Sequence, residues 1–209
     1  MSLLKLTAML LSVLSAATAL TRRPHSVAVA DDTSPKVLIV YYSFTADGCT
    51  ARMAKEVEAG ALAANATVKT LPVNETTCDD VSWADAVIIG SPVHFANPAS
   101  DITKFFEDLQ NVCFGWPLVQ LEKKVGGAFV DGGGQDKGKD TTLQSIHGAL
   151  MSMRFVVRGC NNGTCNAWGA TATNLDHPGQ PGKPLTTDEV AACQDLGAVI
   201  TELAAIIWH

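Results

Sequence analysis

The chain has 209 residues, 47% of them hydrophobic and 17% charged, and a formal net charge of −6. That length gives about one domain with room for a full core, and the composition excludes a disordered chain. An acidic chain with no basic stripe also excludes a nucleic-acid partner.

At the N-terminus Lys5 precedes the apolar run LTAMLLSVLSAATAL, one signal-peptide h-region long and short for a membrane span. Ala17-Thr18-Ala19 is an A-x-A cleavage pattern. The expectation is a secretory signal over residues 1–19, a linker over 20–35 and one domain over 36–209. No stable membrane span is expected after cleavage, and the destination is secreted or luminal. Two alternatives stay open, a retained signal anchor and a bipartite plastid address whose transit part would begin at Thr21-Arg22-Arg23-Pro24-His25-Ser26.

A strand is expected over 36–42, because Val37, Leu38, Ile39, Val40, Tyr41 and Tyr42 form an unbroken apolar and aromatic run of the kind buried on both faces. The polar turn Ser43-Phe44-Thr45-Ala46-Asp47-Gly48-Cys49 follows, and Thr50 opens a helical pattern to about 64. Strand, hydroxyl-bearing loop and helix together make a phosphate-binding arrangement, since backbone N–H groups and the positive end of a helix dipole face one anion. An ordinary turn with a Thr N-cap is the plainer reading of the same residues.

A second short strand is expected over 66–71 and a polar connection over 72–83. A third strand over 84–90 leads into a loop, Ser91-Pro92-Val93-His94-Phe95-Ala96-Asn97-Pro98, and a helix starts near Ser100. Residues 111–122 form an irregular apolar segment containing Cys113-Phe114-Gly115-Trp116-Pro117-Leu118. It suits a substrate cleft, an oligomer contact or a cover over the core. The fourth strand is expected over 124–130, followed by a glycine loop, Asp131-Gly132-Gly133-Gly134 and onward to Lys139. Asp140 is expected to cap a helix to about Met151, with a fifth strand over 154–158, a Gly/Asn/Pro-rich loop over 159–184 and a last helix to about Ile207.

Strands and helices alternate five times, the pattern of a doubly wound α/β fold with a parallel sheet. In a 2-1-3-4-5 order, strands one, three and four are neighbours, so their loops converge on one crevice at the carboxyl edge. The six cysteines show neither CxxC nor metal-ligand spacing, and no metal site is expected. Cys160 and Cys165 flank the turn-rich Asn161-Asn162-Gly163-Thr164 and suit a local disulfide in an oxidising compartment. Cys78, Cys113 and Cys193 look like small buried apolar residues, and Cys49 sits in the proposed phosphate loop. Three Asn-x-Thr acceptors begin at Asn65, Asn74 and Asn162.

The loops SFTADGCT, GSPVHFANPAS and FVDGGGQDKGKDTTLQS, with Trp168-Gly169-Ala170-Thr171 and the closing KPLTTDEV, resemble the flavodoxin-like NAD(P)H:quinone oxidoreductases of the WrbA type, and the wider NADPH-dependent FMN reductases. The resemblance covers about residues 36–207. It implies a flavodoxin-like, five-stranded parallel sheet with helices on both faces, FMN as cofactor, and NAD(P)H as donor of a hydride that passes through FMN to a small-molecule quinone. It also implies a homodimer or homotetramer.

Carried over by position, Ser43, Phe44, Thr45, Ala46, Asp47 and Gly48 would lie along the FMN phosphate and ribityl chain, with Cys49 and Thr50 completing the cradle. Pro92, Val93, His94, Phe95 and Ala96 would face the ring edge, with His94 the candidate catalytic residue and Phe95 in a packing role. Asp131, Gly132, Gly133 and Gly134 would approach from the third side. G-x-G-x-x-G is absent from 36–65, which favours FMN over a dinucleotide in the first loop. Asp131 stands where the family has a small hydroxyl residue, and Ser152-Met153 where it tends to have a His pair. Two rival readings are an electron-carrying flavodoxin without NAD(P)H activity and a flavin-free binding protein on the same fold.

Overall fold

A computed structural model of the protein describes residues 34–134, 137–160, 165–173 and 183–208. The expected signal (1–19), nearly all of the linker and the acceptor at Asn162 lie outside the described residues.

The sheet has a parallel core in the order β2-β1-β3-β5, with β6 and β7 sharing the position beyond β5. Its strands are β1 (Lys36–Tyr41), β2 (Thr67–Pro72), β3 (Ala86–His94), β5 (Val125–Gly132), β6 (Val156–Val157) and β7 (Ala170–Thr173). This is the expected doubly wound sheet, 2-1-3-4-5 when the principal strands are counted in sequence. Alternation along β1 sends Val37 and Ile39 into one core and Leu38 and Val40 into the other, all four fully buried. On the first face lie α1 (Cys49–Ala63) and α5 (Thr187–Trp208). On the second lie α2 (Cys78–Trp83), α3 (Ser100–Asp108) and α4 (Lys139–Ser152).

Several expectations are corrected. Helix α1 begins at Cys49 with Gly48 as its N-cap, so Thr50 lies inside the first turn and is not the cap. The polar connection over 72–83 contains α2, which starts with a capping box in which Thr77 and Asp80 satisfy each other's backbone N–H groups. Lys69 pairs with Asp80 at 2.7 Å, and with the Thr77 hydroxyl it holds that carboxyl down at about 2. Helix α4 is capped by Gly138 in the left-handed region (φ 79°), so Asp140 is a first-turn acid that accepts from Asn166 rather than the cap. The fifth strand is cut short: Arg154 takes φ 73°, only Val156–Val157 pair with β5, and β7 resumes the same edge from within the expected loop.

Cys160 and Cys165 are bonded, and Cys193 and Cys49 are buried and outside either disulfide. Cys78 and Cys113 are not isolated apolar residues but a second disulfide, tying the start of α2 to the segment after α3 across 35 positions. In that segment Leu118 and Leu121 close the second core while Trp116 stays 76% exposed, so its apolar residues divide between covering the core and facing outward. Closing a loop of that size restricts the unfolded chain, so C78A/C113A is expected to lower unfolding free energy by about 3 kcal/mol. Urea melts with and without reductant measure it; an unshifted midpoint refutes it.

Helix α5 has 22 residues and enough apolar character, by length and composition alone, to cross a membrane. Its apolar residues have another use here, because Ala192, Cys193, Leu196, Val199, Ile200 and Ala204 are buried in the domain.

His147 on α4 is 2% exposed, its ring is 6.1 Å from that of Trp168, and its Nε2 has no hydrogen-bond partner among the described residues. Burial disfavours the charged ring and pushes its pKa below the usual 6.5. The unfolded chain therefore binds the proton first, and this contribution to stability is present above about pH 6.5 and fades below it. Melting temperature is expected to fall between about pH 7.5 and about 5.5, and H147L to flatten that decline. An equally steep decline in the variant refutes the assignment.

Candidate functional site

The turns after β1, β3 and β5 touch one another at the carboxyl edge of the sheet. Parallel pairing brings Tyr41 beside Gly90 and Pro92 beside Asp131, and the Tyr42 N–H extends the ladder to the Gly90 carbonyl at 3.0 Å. From the first turn the Phe44 ring meets His94 of β3 at 5.2 Å between centroids, and Tyr42 meets both edge-on at 5.7 and 6.4 Å. His94 is thus half-buried in an aromatic cluster rather than facing open solvent. Where α1 starts beside the end of β5, the Thr50 hydroxyl donates to the Asp131 carboxylate at 2.5 Å, both residues buried. Between the second and third, a Cβ on Gly132 would stand 3.4 Å from the Val93 side chain, and one on Gly138 would overlap Ala96.

The second turn is more regular than its sequence suggests. Strand β3 runs through Ser91, Pro92 and Val93 to His94, and Asn97–Pro98 returns antiparallel as β4. Phe95 and Ala96 form the two-residue connection with φ of 51° and 61°, the signature of a mirror-image hairpin turn that usually takes Asn-Gly. Left-handed backbone at non-glycine residues costs about 1 kcal/mol each. Two hydrogen bonds hold it: buried Ser91 accepts from the Ala99 N–H at 2.9 Å, and Asn97 donates to the Phe95 carbonyl at 2.9 Å. Phe95 does not take the expected packing role: its side chain is fully exposed at the tip of the hairpin, and Phe44 of the first turn is 69% exposed.

At the first turn, no side chain caps α1 and no acid occupies its first turn, so its positive end is open to an anion. Gly48 has an ordinary φ of −61° and sits in a tight spot: a Cβ would lie 2.4 Å from the Ser43 hydroxyl, which would have to turn aside, and 3.2 Å from the Thr45 carbonyl. Ser43, Thr45 and the helix start therefore close around one small volume. The Thr50 hydroxyl, expected to donate into that volume, donates its hydrogen bond to the Asp131 carboxylate instead. Ala46 and Asp47 are exposed on the outside of the turn, Cys49 is buried beneath it, and Gly133 and Gly134 continue the third turn past the end of β5.

Some residues of the site were invisible in the sequence. Arg52 donates to the Asp47 carbonyl at 2.5 Å and to the Lys183 carbonyl at 2.9 Å, tying the first turn to the segment entering α5. Buried Lys139 donates to Thr173 at 2.6 Å, and the Thr173 N–H donates to Glu189 at 2.6 Å, which locks the end of β7 to the start of α5. These pairs join positions 131, 34 and 16 apart, with no local pattern to announce them.

Residues 35–168 match the family model described as NADPH-dependent FMN reductase. The chain is 31% identical over 176 residues to a flavodoxin of Aquifex aeolicus, spanning 82% of this chain and 88% of that protein. It is 32% identical over 201 residues to an NAD(P)H dehydrogenase (quinone) of Rhodopseudomonas palustris strain BisA53, spanning 81% of this chain and 96% of that protein. Among solved structures, a WrbA-like flavodoxin protein from Agrobacterium tumefaciens superposes with a TM-score of 0.65 at 19% identity, covering 83% of this chain and 99% of that one.

Proposed function

Because this chain belongs to the NADPH-dependent FMN reductase family, and is therefore a flavin-dependent oxidoreductase, we propose that it binds FMN in the crevice of the three turns and carries electrons from NAD(P)H to a quinone. The observation that carries the reading is the meeting of the chain at the ends of β1, β3 and β5, where Thr50 reaches Asp131 and the Phe44 ring meets His94.

The residues present fit the cofactor. A ligand with a charged phosphate end suits a helix start without cap or acid, and the lack of a side chain at Gly48 lets the Ser43 and Thr45 hydroxyls lie close to that helix start. FMN, when bound, supplies the redox chemistry, and the chain supplies position and dipoles. In this reading Ser43, Thr45, Gly48 and the first-turn N–H groups hold the phosphate. Backbone of Pro92, Val93, Phe95 and Ala96, and of Gly132, Gly133 and Gly134, flanks the ring from two sides. His94, in contact with the rings of Tyr42 and Phe44, is the side chain that would face the ring edge. Exposed Phe44 and Phe95 would offer apolar surface to a flat acceptor.

Titrating FMN into apoprotein and then following NAD(P)H oxidation with benzoquinone tests both parts. Saturable yellow reconstitution with quinone-dependent turnover is expected. Reconstitution without turnover gives the carrier reading, which the relative named flavodoxin favours; a protein that refuses FMN overturns both. We extend the proposal to a homodimer or homotetramer, checked by light scattering of the holoprotein. We also extend it to entry into the secretory pathway, which two disulfides among the described residues support. Import into a plastid is the alternative, separated by fractionation.

A further inference from the structure

Strand β2 is the open edge of the sheet: it pairs with β1 alone, and its other side has no strand partner among the described residues. An Asn-x-Thr triplet sits at each of its ends. Asn65 occupies the turn between α1 and β2 with φ 67°, exposed, and its Thr67 is the exposed first residue of the strand. Asn74 is exposed in the single helical turn Val73–Glu75 that follows Pro72, and its Thr76 closes that turn by donating to the Pro72 carbonyl at 3.1 Å. No hydrogen bond among the described residues ties either Asn side chain to the protein. Two residues beyond Thr76, Cys78 enters the disulfide to Cys113, so the neighbourhood of the second triplet is oxidised in the folded chain.

We propose that Asn65 and Asn74 carry N-linked glycans, one at each end of the exposed edge strand. The inference rests on the secretory reading above. The chemistry needs an exposed carboxamide with a hydroxyl two residues on, and a lipid-diphosphate-linked oligosaccharide as donor. The bond from the sugar C1 to the diphosphate breaks, a C1–Nδ2 bond forms, one amide proton leaves, and the lipid diphosphate departs. The fold accommodates both products. The six-residue strand between Asn65 and Asn74 spans about 20 Å, and both asparagines are exposed. The Asn65 end is opposite the crevice, and the Asn74 end lies one strand outside β1. Bulky polar groups at an unpaired edge also suit it physically, because an open strand edge invites pairing with another chain.

The test is expression of the full chain in a eukaryotic secretory host, with N-glycanase digestion in heavy-oxygen water and peptide mass mapping. Asn65 and Asn74 are expected to appear as labelled Asp, and T67A and T76A each to remove one mobility step while leaving the Asn in place. Asn162 is scored separately by its own peptide. Secreted, disulfide-bonded protein with unlabelled Asn65 and Asn74 overturns the glycan proposal and leaves the routing standing. Protein retained in the cell and unmodified overturns both.

Discussion

Gly197→Ala is expected to destabilise the protein by about 3 kcal/mol, although helix propensity alone would favour alanine by about 1 kcal/mol. The reason is where α1 and α5 cross. A Cβ on Gly197 would lie 2.1 Å from the Val57 carbonyl oxygen and 2.7 Å from the Ala61 nitrogen, and one on Gly60 would lie 2.0 Å from the Gln194 carbonyl oxygen. Those neighbours are backbone and cannot rotate away. Real Cβ atoms keep at least 3.0 Å, so the helices would have to separate by about 1 Å. That would loosen Met53, Val57, Cys193, Leu196 and Ile200, all fully buried between them. G60A is expected to behave alike, and the double variant to cost less than the sum, because one separation relieves both clashes. Chemical denaturation of the four proteins decides it; a G197A variant as stable as the parent would refute the close crossing. The effect reaches the crevice too, since the same α1 presents its first turn to it about 16 Å away.

The crossing also shows what the sequence could and could not disclose. Runs such as Val37 to Val40 and Ala86 to Ile89 announce strands covered on both faces, and the three turns follow from them and from the strand order. Gly60 and Gly197, by contrast, look like weak points in helical patterns, because a requirement for close approach leaves no trace in periodicity. The Cys78–Cys113 bond was illegible for a related reason: spacing does not determine which of six cysteines meet. The start of α2 was legible, since Thr77-Cys78-Asp79-Asp80 has the reciprocal capping spacing, but its short polar helix gives no apolar stripe. The broken fifth strand hid behind Arg154, whose left-handed backbone no local residue preference forecasts. In the site, the loops were readable as loops. Their mutual ties, Thr50 to Asp131 and Arg52 to Lys183, were not, because each is a contact between distant side chain and partner.

Two substitutions in the crevice should move FMN affinity in opposite directions. Gly48→Val is expected to weaken binding at least about a hundredfold, equivalent to about 2.7 kcal/mol. The backbone at Gly48 accepts any residue, so the loss would come from space alone: the side chain would push Ser43 and the Thr45 carbonyl into the volume they enclose. The domain should keep its melting temperature within a few degrees, because Ser43, Thr45 and Gly48 belong to neither core. Asp131→Asn is expected to tighten binding on the order of tenfold. It keeps an oxygen to accept from Thr50 and removes a buried negative charge beside a site meant for an anion. At an effective dielectric near 20, two like charges several ångströms apart repel by about 2 kcal/mol. The tightening should survive added salt better than a surface effect would, since Asp131 is only 8% exposed. Fluorescence quenching of FMN reads both constants. If Gly48→Val binds FMN as the parent does, the phosphate does not sit at the start of α1. If Asp131→Asn weakens binding, the carboxylate is a ligand in its own right, and the electrostatic account of this turn is wrong.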